Sequence, residues 1–278
     1  MLEKEYFMKK LSILLATYFM VILLNPISSR ADTIQNSYDV VNLYGKEIKV
    51  SSDVNKNYIT DLPETMVKNL PPEGIITSVD TKIISFNEYN EPVNFENIAP
   101  YGYIPKSQLG LRLYLLELPD SSGFKNYYVS ALAIWSPGQE PFWRLTDYLS
   151  LVWSDEFNVV EGSISTNMEC LDYNGYSFTP DKDTYGIKEH VPKTLLVGYY
   201  DLKMDYSPNC IGLGATLRKP ITGNGDAVIV AQYNHTIMGT GSASVNIGVS
   251  GTTPTFSFGL GLGQTTDYSD PVIRNMVY

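Results

Sequence analysis

Cysteine and histidine are scarce in this chain of 278 residues. There are two cysteines, Cys170 and Cys210, and two histidines, His190 and His235. Neither cysteine has a second cysteine or a histidine at zinc-ligand spacing, so we predict no metal centre from these residues. In an exported chain, two cysteines instead predict one disulfide, Cys170–Cys210. A histidine in a β-run is typical of a surface or hydrogen-bonded residue, so neither histidine is predicted to be catalytic.

Long apolar runs are also few. The clearest one, Leu11–Leu24, follows the basic Met8-Lys9-Lys10 and precedes the small residues of Ser29-Arg30-Ala31. This order predicts a secretory signal peptide over residues 1–31, with translation starting at Met1 or Met8. The run is shorter than the roughly 20 residues of a spanning helix, and no cysteine follows it to carry a lipid. We therefore expect a secreted protein, cleaved after Ala31, with no stable membrane anchor.

Positive charge is in deficit. Lysine and arginine number 20 against 30 aspartates and glutamates, which gives a formal net charge of −10. No cluster of basic residues is present, and phosphate neutralisation needs such clusters. The composition therefore argues against nucleic-acid binding, and we expect an acidic monomer.

The common catalytic motifs are missing. The chain has no G-x-S-x-G, no H-E-x-x-H and no phosphate-binding loop. Ser122 and Lys125 have S-x-x-K spacing, but they lie in a predicted turn and lack the accompanying motifs. The glycines of 212–214 and 259–263 lie in strand-like runs and do not precede a helix, so they are not a nucleotide-binding fingerprint. These absences favour a non-catalytic protein, and we predict no cofactor from them.

What the sequence does contain is apolar alternation with a period of two, interrupted by Gly, Pro and Asn. This pattern predicts an all-β fold, mainly an antiparallel β-sandwich or barrel-like, in a single main domain. One short helix is predicted over 62–70, with Asp61 as its cap and Pro71-Pro72 as its stop. Residues 141–153 fit both a helix and a strand. The predicted strands are 75–86, 109–118, 127–135, 195–204, 212–218, 227–237 and 272–278.

The chain is predicted to divide into three parts. Residues 1–31 are the signal peptide, residues 32–98 form an N-terminal flank with the short helix and one strand, and residues 99–278 form the main β domain. The boundary between the last two falls in an Asn- and Pro-rich stretch near Ala99.

The stretch 242–264, hereafter the hairpin segment, reads as two strands joined by a turn near Ser250–Thr255. Apolar residues occupy every second position, with mostly Ser, Asn and Gly between them. This hairpin could either complete a core or enter a membrane. Small residues opposite large ones, and glycines on the other face, favour the structural role. The length of the segment does not distinguish the two roles, because its strands are close to the roughly 9–11 residues of a membrane strand. The apolar residues are Ala243, Val245, Ile247, Val249, Phe256, Phe258, Leu260 and Leu262.

Aromatic and acidic residues concentrate between residues 135 and 161. Aromatic faces beside carboxylates suit a glycan, and two such acids could serve as a glycosidase pair. The alternative is that the tryptophans fill the core while the acids face water, and this alternative is favoured because large aromatics dominate cores. The candidate ligand-binding residues are Trp135, Trp143, Asp147, Trp153, Asp155 and Glu156.

Asp181 and Asp183 begin a stretch that partly matches a calcium loop. The match fails at Tyr185 in the fifth position and at Pro192 in the twelfth. A solvated turn is therefore the default interpretation, with a looser calcium site as the alternative.

Three functional hypotheses follow. The leading one is a secreted, non-catalytic β-sandwich protein that binds an extracellular or cell-envelope ligand, such as a glycan. The second is a membrane-active or pore-forming protein that uses the hairpin segment. The third is a carbohydrate-active enzyme that uses the 135–161 cluster.

Overall fold

The chain folds as the all-β protein that the sequence predicts. The computed structural model describes residues 37–87, 106–136, 145–202, 206–222, 226–238, 246–250, 253–257, 264–268 and 271–277. Apart from Ser37, all of these residues belong to one compact unit, Tyr38–Tyr278.

Seventeen strands and two short helices make up the described part of this unit. The first half contains β1 (Tyr38–Leu43), β2 (Lys46–Ser51), α1 (Asn57–Thr60), α2 (Glu64–Asn69), β3 (Ile75–Asn87), β4 (Lys106–Ser121), β5 (Phe124–Trp135), β6 (Thr146–Trp153), β7 (Asn158–Val159) and β8 (Ser165–Leu171). The second half contains β9 (Ser177–Phe178), β10 (Tyr185–Val191), β11 (Leu195–Asp201), β12 (Ser207–Pro220), β13 (Asp226–Met238), β14 (Asn246–Ser250), β15 (Thr253–Ser257), β16 (Gln264–Tyr268) and β17 (Val272–Val277).

The strands form two large sheets and one small one. The nine-stranded sheet has the order β1-β2-β3-β4-β5-β12-β8-β9, with β7 also paired to β12. The six-stranded sheet has the order β10-β11-β6-β13-β16, with β17 also paired to β13. Strands β14 and β15 form the third sheet by themselves. Within the described ladders only β2 and β3 run parallel, so the sheets are mainly antiparallel, as predicted.

Apolar alternation places the main core between the two large sheets. In β4, Leu109, Leu111 and Leu113 enter this core with alternate residues of β5 and β12, while Leu149 and Leu151 of β6 enter it from the six-stranded sheet. Successive side chains of a strand point to opposite faces, so the intervening Tyr114 and Leu116 serve a second core.

This second core lies on the other face of the nine-stranded sheet, where α1, α2 and β2 contribute Ile59, Met66, Val67 and Val50. The predicted helix forms as α2, over Glu64–Asn69. Its predicted cap is wrong, because Pro63 occupies the N-cap position, with no side-chain cap bond.

The carboxylate of Asp61 instead lies 3.4 Å from the Arg112 guanidinium. At the other end of α2, the Lys46 ammonium donates to the carbonyls of Val67 (3.0 Å) and Leu70 (2.5 Å). This cation therefore satisfies carbonyls that a helix end leaves unpaired.

Most predicted strands are present, and the ambiguous stretch 141–153 resolves partly as β6, a strand over Thr146–Trp153. The strand of the predicted N-terminal flank, β3, pairs with β4 along its whole length, so it belongs to the same sheet as the main body. Seven strands were not predicted, namely β1, β2, β7, β8, β9, β10 and β16. Strand β10 illustrates the reason, since most of its residues are exposed and Glu189 interrupts the alternation of Tyr185, Ile187 and Val191.

The predicted disulfide is wrong for this structure: Cys170 and Cys210 are both buried and are not disulfide-bonded. Their strands β8 and β12 do pair, but Cys210 lies opposite Glu169, and Cys170 lies opposite Pro208. Neighbouring residues of a strand face opposite sides, so the two thiols are on different faces of the sheet. Accordingly, Cys170 belongs to the main core and Cys210 to the second core.

Candidate functional site

The predicted aromatic and acidic cluster is divided among different environments. Trp135 and Trp153 are buried in the main core. Asp155 and Glu156 are exposed in the turn that follows β6. Asp147 is fully buried, and Trp143 lies outside the described residues. Within the part of the chain that the structure describes, these side chains do not line one open cleft.

Asp147 is the centre of a buried polar network between β6 and β13. Its Oδ2 accepts the hydroxyl of Tyr233 and lies 2.9 Å from Nδ1 of His235. Its Oδ1 accepts the backbone N–H of Thr236 at 2.8 Å. One carboxylate therefore contacts three residues near the end of β13, at positions 233, 235 and 236. The side chains of His235 and Asp147 are exposed by only 1% and 0%.

The network lies just beyond the point where the backbone pairing of β6 and β13 ends. Strands β6 and β13 pair from Ile229–Trp153 to Asn234–Tyr148 and no further. Beyond that point the Asp147 carboxylate binds the Thr236 N–H, and the Thr236 hydroxyl donates to the Thr146 carbonyl at 2.6 Å. Side chains thus hold the last residues of β13 to β6, immediately before the chain enters the hairpin segment.

Aromatic contacts connect the network to the core. Tyr233 packs edge-to-face on Trp135, with 5.9 Å between ring centroids, and stacks on His235 at 6.5 Å. Two of the predicted site residues, Trp135 and Asp147, are therefore brought together through Tyr233. The buried Asn234 amide beside them has neither its Nδ2 nor its Oδ1 in a hydrogen bond among the described residues.

The enclosure of Asp147 has electrostatic consequences. Burial, and secondly the Asp147 charge, raise the pKa of the neighbouring Tyr148 hydroxyl. The Asp147 carboxylate needs the hydrogen-bond donors described above, because the desolvation of a buried carboxylate costs several kcal/mol. Since neither Asp147 nor His235 is open to solvent, the arrangement is suited to fastening two strands and not to acid–base catalysis on a substrate. The sequence signal for this network was weak, because Tyr233 and His235 look like ordinary strand residues.

The second candidate feature is the hairpin segment itself. The predicted hairpin forms, with a shorter turn than expected, since Ser250 pairs directly with Thr253. Polar and apolar pairs alternate along the ladder. The apolar pairs are Ile247–Phe256 and Val249–Pro254, and the others are Asn246–Ser257, Gly248–Thr255 and Ser250–Thr253. The apolar pairs therefore occupy every second position of the ladder.

The hairpin is separate from the body in its backbone pairing. Among the described residues, β14 and β15 hydrogen-bond only to each other. At the base of the segment, β13 and β16 pair up to Met238–Gln264, within the six-stranded sheet. Whether the apolar side chains of 246–257 complete a core stays a prediction, as does the role of Phe258, which lies outside the described residues.

The other predicted sites remain expectations. Asp181 and Asp183 are exposed, and Asp181 accepts the Thr184 N–H through its backbone carbonyl at 3.0 Å, as in a solvated turn. The described residues contain no group of three potential metal-ligating side chains. His190 is exposed on β10. None of the helices in the described ranges has the length and apolar character to cross a membrane.

Comparison with known proteins gives no family. No protein-family model and no curated protein sequence matches the chain. Among solved structures, a "pore forming protein" aligns with a TM-score of 0.38 at 9% identity, covering 86% of this chain and 96% of the other. The membrane-inserted NetB toxin of Clostridium perfringens aligns with a TM-score of 0.30 at 9% identity, covering 72% and 96%. A structure concerning pH-induced modulation of Streptococcus parasanguinis adhesion by Fap1 fimbriae aligns with a TM-score of 0.21 at 10% identity, covering 70% and 94%. Similarity at this level carries no functional argument.

Proposed function

We propose that this protein is a secreted, non-catalytic, membrane-active protein whose hairpin segment inserts into lipid. The observation that carries the proposal is a two-stranded sheet of alternating apolar and polar pairs, separate from both large sheets. A strand that crosses a membrane has this alternation, with apolar residues toward lipid and polar residues toward water. The proposal adopts the second of the three sequence hypotheses, the membrane-active protein, in place of the leading one.

The composition of the segment supports insertion. No Asp, Glu, Lys or Arg occurs between His235 and Asp267, in a chain that is 18% charged overall. A charged residue at the middle of the bilayer costs about 2–4 kcal/mol, so its absence from both arms matters. The arms 242–250 and 253–264 also reach the roughly 9–11 residues that a tilted membrane strand needs, within a residue or two.

Insertion requires more than one copy of the protein. A single hairpin has two outer edges, and each unpaired backbone N–H or C=O group in hydrocarbon costs several kcal/mol. Edge-to-edge pairing of hairpins from several copies removes these edges. The proposal is therefore a monomer in solution that assembles on the membrane.

A matched pair of variants tests the proposal. Ile247→Lys puts a charge at an apolar pair, whereas Thr255→Lys puts the same charge at the neighbouring polar pair. Dye leakage from phosphatidylcholine vesicles should be lost in Ile247→Lys and retained in Thr255→Lys, with the ion selectivity of Thr255→Lys shifted toward anions. Both variants should keep the wild-type unfolding midpoint. Absence of leakage with the wild-type protein, or equal loss in both variants, would contradict insertion.

A second candidate is a soluble binding protein in which the hairpin is structural. The feature in its favour is the composition of the segment, with Ala and β-branched residues in the first arm and Phe and Leu in the second, which suits packing on another layer. Under this alternative, Phe258→Ala destabilises the soluble protein by about 3–5 kcal/mol. Under the membrane proposal, the same substitution leaves urea unfolding nearly unchanged and weakens leakage. Equilibrium unfolding of Phe258→Ala therefore separates the two functions.

A further inference from the structure

The most exposed aromatic side chains of the described part lie on one tight loop. This segment, Asp172–Phe178, comprises the turn after β8 and the short edge strand β9, and is hereafter the tyrosine loop. Tyr173 is 94% exposed and Tyr176 is 72% exposed. Single exposed apolar residues are normal on a protein surface, but two tyrosines on one loop need a reason.

The loop is held in a fixed shape by its own hydrogen bonds. The Asp172 carboxylate accepts the backbone N–H groups of Asn174 and Tyr176, both at 2.8 Å. The Asp172 N–H donates to the Tyr176 carbonyl at 3.0 Å, and the Gly175 N–H donates to the Asp172 carbonyl at 2.9 Å. Gly175 has a φ of +81°, a conformation that glycine adopts without strain.

One aromatic residue fastens the loop to the body. Phe178 packs edge-to-face on Tyr206, with 5.4 Å between ring centroids, and Tyr206 packs on the main core. The backbone bonds and this contact fix the loop without using the rings of Tyr173 and Tyr176. Both rings are therefore presented in advance, so contact with a partner costs little ordering entropy.

The chemistry of the loop selects the kind of partner. Residues 173–180 carry no charge, and the Asp172 carboxylate before them is already engaged by two N–H groups. The next charged residues along the chain are Asp181, Lys182 and Asp183. A protein partner would need roughly 800 Å² from each side, more than one short loop offers. Tyrosine combines an apolar ring with a polar hydroxyl, which is why it is enriched where hydrocarbon meets headgroups.

We infer that the tyrosine loop is a membrane-contact site that places Tyr173 and Tyr176 in the interface of a zwitterionic bilayer. An acidic protein gains nothing from electrostatic attraction to anionic lipid, so an uncharged aromatic contact is the chemistry open to it. The inference rests on the proposed function and extends it, since it names the surface that binds the bilayer before the hairpin segment inserts.

Vesicle flotation with pure phosphatidylcholine tests the site. The double variant Tyr173→Ala/Tyr176→Ala should bind on the order of tenfold more weakly than the wild type, because most of the apolar contact area of the loop is removed. The control Tyr38→Ala/Tyr44→Ala removes two other exposed tyrosines from β1 and the turn after it, and should bind as the wild type does. Equal binding by the tyrosine-loop variant, or equal weakening by the control, would overturn the inference.

A spectroscopic probe locates the loop directly. In Tyr173→Trp, the added indole fluorescence should shift to the blue and be quenched by brominated phosphatidylcholine, whereas Tyr44→Trp should show neither effect. Quenching of Tyr44→Trp alone would overturn the inference. The two proposals can fail separately. If the tyrosine-loop variant binds vesicles more weakly than the wild type, but the wild type causes no leakage, only the insertion of the hairpin is refuted. If the wild type causes leakage and the tyrosine-loop variant binds as strongly as the wild type, only the role of the tyrosine loop is refuted.

Discussion

Asp147 is the residue on which the end of β13 most depends. Its carboxylate accepts hydrogen bonds from the Tyr233 hydroxyl and the Thr236 N–H and contacts His235, all away from solvent. A hydrogen bond to a charged group is worth more than a neutral one, and a buried donor left unsatisfied pays its full desolvation cost.

Asp147→Asn should therefore lower the free energy of unfolding by about 3 kcal/mol, since one amide NH₂ must then face a donor or His235. Asp155→Asn is the matched control, because Asp155 is exposed, and should change stability by less than about 0.5 kcal/mol. Urea unfolding measures both variants. Similar midpoints for the two would show that the network contributes little.

The two cysteines give a second expectation at the scale of residues. Burial, followed by the charge of Glu169, raises the pKa of the Cys210 thiol well above its ordinary value of 9.0. Only the thiolate reacts, so at pH 8 the native protein should react very slowly with a thiol reagent, and the unfolded protein should show two thiols. Reactivity of Cys210 in the folded state should rise only at a pH above that ordinary value. Finding no thiols after unfolding without reductant would instead establish the disulfide predicted from the sequence.

At the scale of elements, the glycines of β12 allow side chains from neighbouring strands to lie across it. A Cβ at Gly214 would meet the Tyr128 hydroxyl, and would lie 2.9 Å from the Tyr128 Cζ and 3.1 Å from the Ser165 Oγ. Tyr128 and Ser165 hydrogen-bond to each other over this strand at 2.9 Å.

Gly214→Ala should consequently destabilise the protein by about 1–3 kcal/mol, as overpacking does. Gly110→Ala on β4 is the control, because a Cβ at Gly110 meets nothing within 4 Å. Thermal unfolding of the two variants measures the difference. A destabilised Gly110→Ala beside an unaffected Gly214→Ala would contradict this account.

For the whole molecule, alternation was enough to predict the fold class and most buried strands, because each of β4, β5, β12 and β13 buries apolar residues on at least one face. Strand β10 escaped prediction because it is an exposed edge strand. The Asp147 network also escaped, because it depends on which odd-numbered residues of β6 and β13 become neighbours, and this is fixed by the pairing of distant strands. The cysteine pairing failed for a similar reason, since strand register sets the face of each thiol.

The net charge of −10 leads to an expectation for the whole molecule on membranes. Leakage should be slower from vesicles containing phosphatidylserine than from pure phosphatidylcholine, because the acidic protein is repelled. The difference should shrink between 10 and 150 mM salt, since the Debye length falls from about 30 Å to about 8 Å. Faster leakage from the anionic vesicles at low salt would show that a local basic surface, not the net charge, governs approach.

The small sheet of β14 and β15 has a consequence for hydrogen exchange. Its ladder shares no backbone bond with the described strands of the two large sheets, so opening it breaks none of their hydrogen bonds. We therefore expect two separate free energies of opening, a small one for the hairpin and a large one for the two large sheets. Amide protons of 246–257 should then exchange with deuterium long before those of β5 and β12, and at a rate that denaturant hardly changes. In this protein, the hairpin that is proposed to enter the membrane shares no backbone ladder with the described strands of the two large sheets.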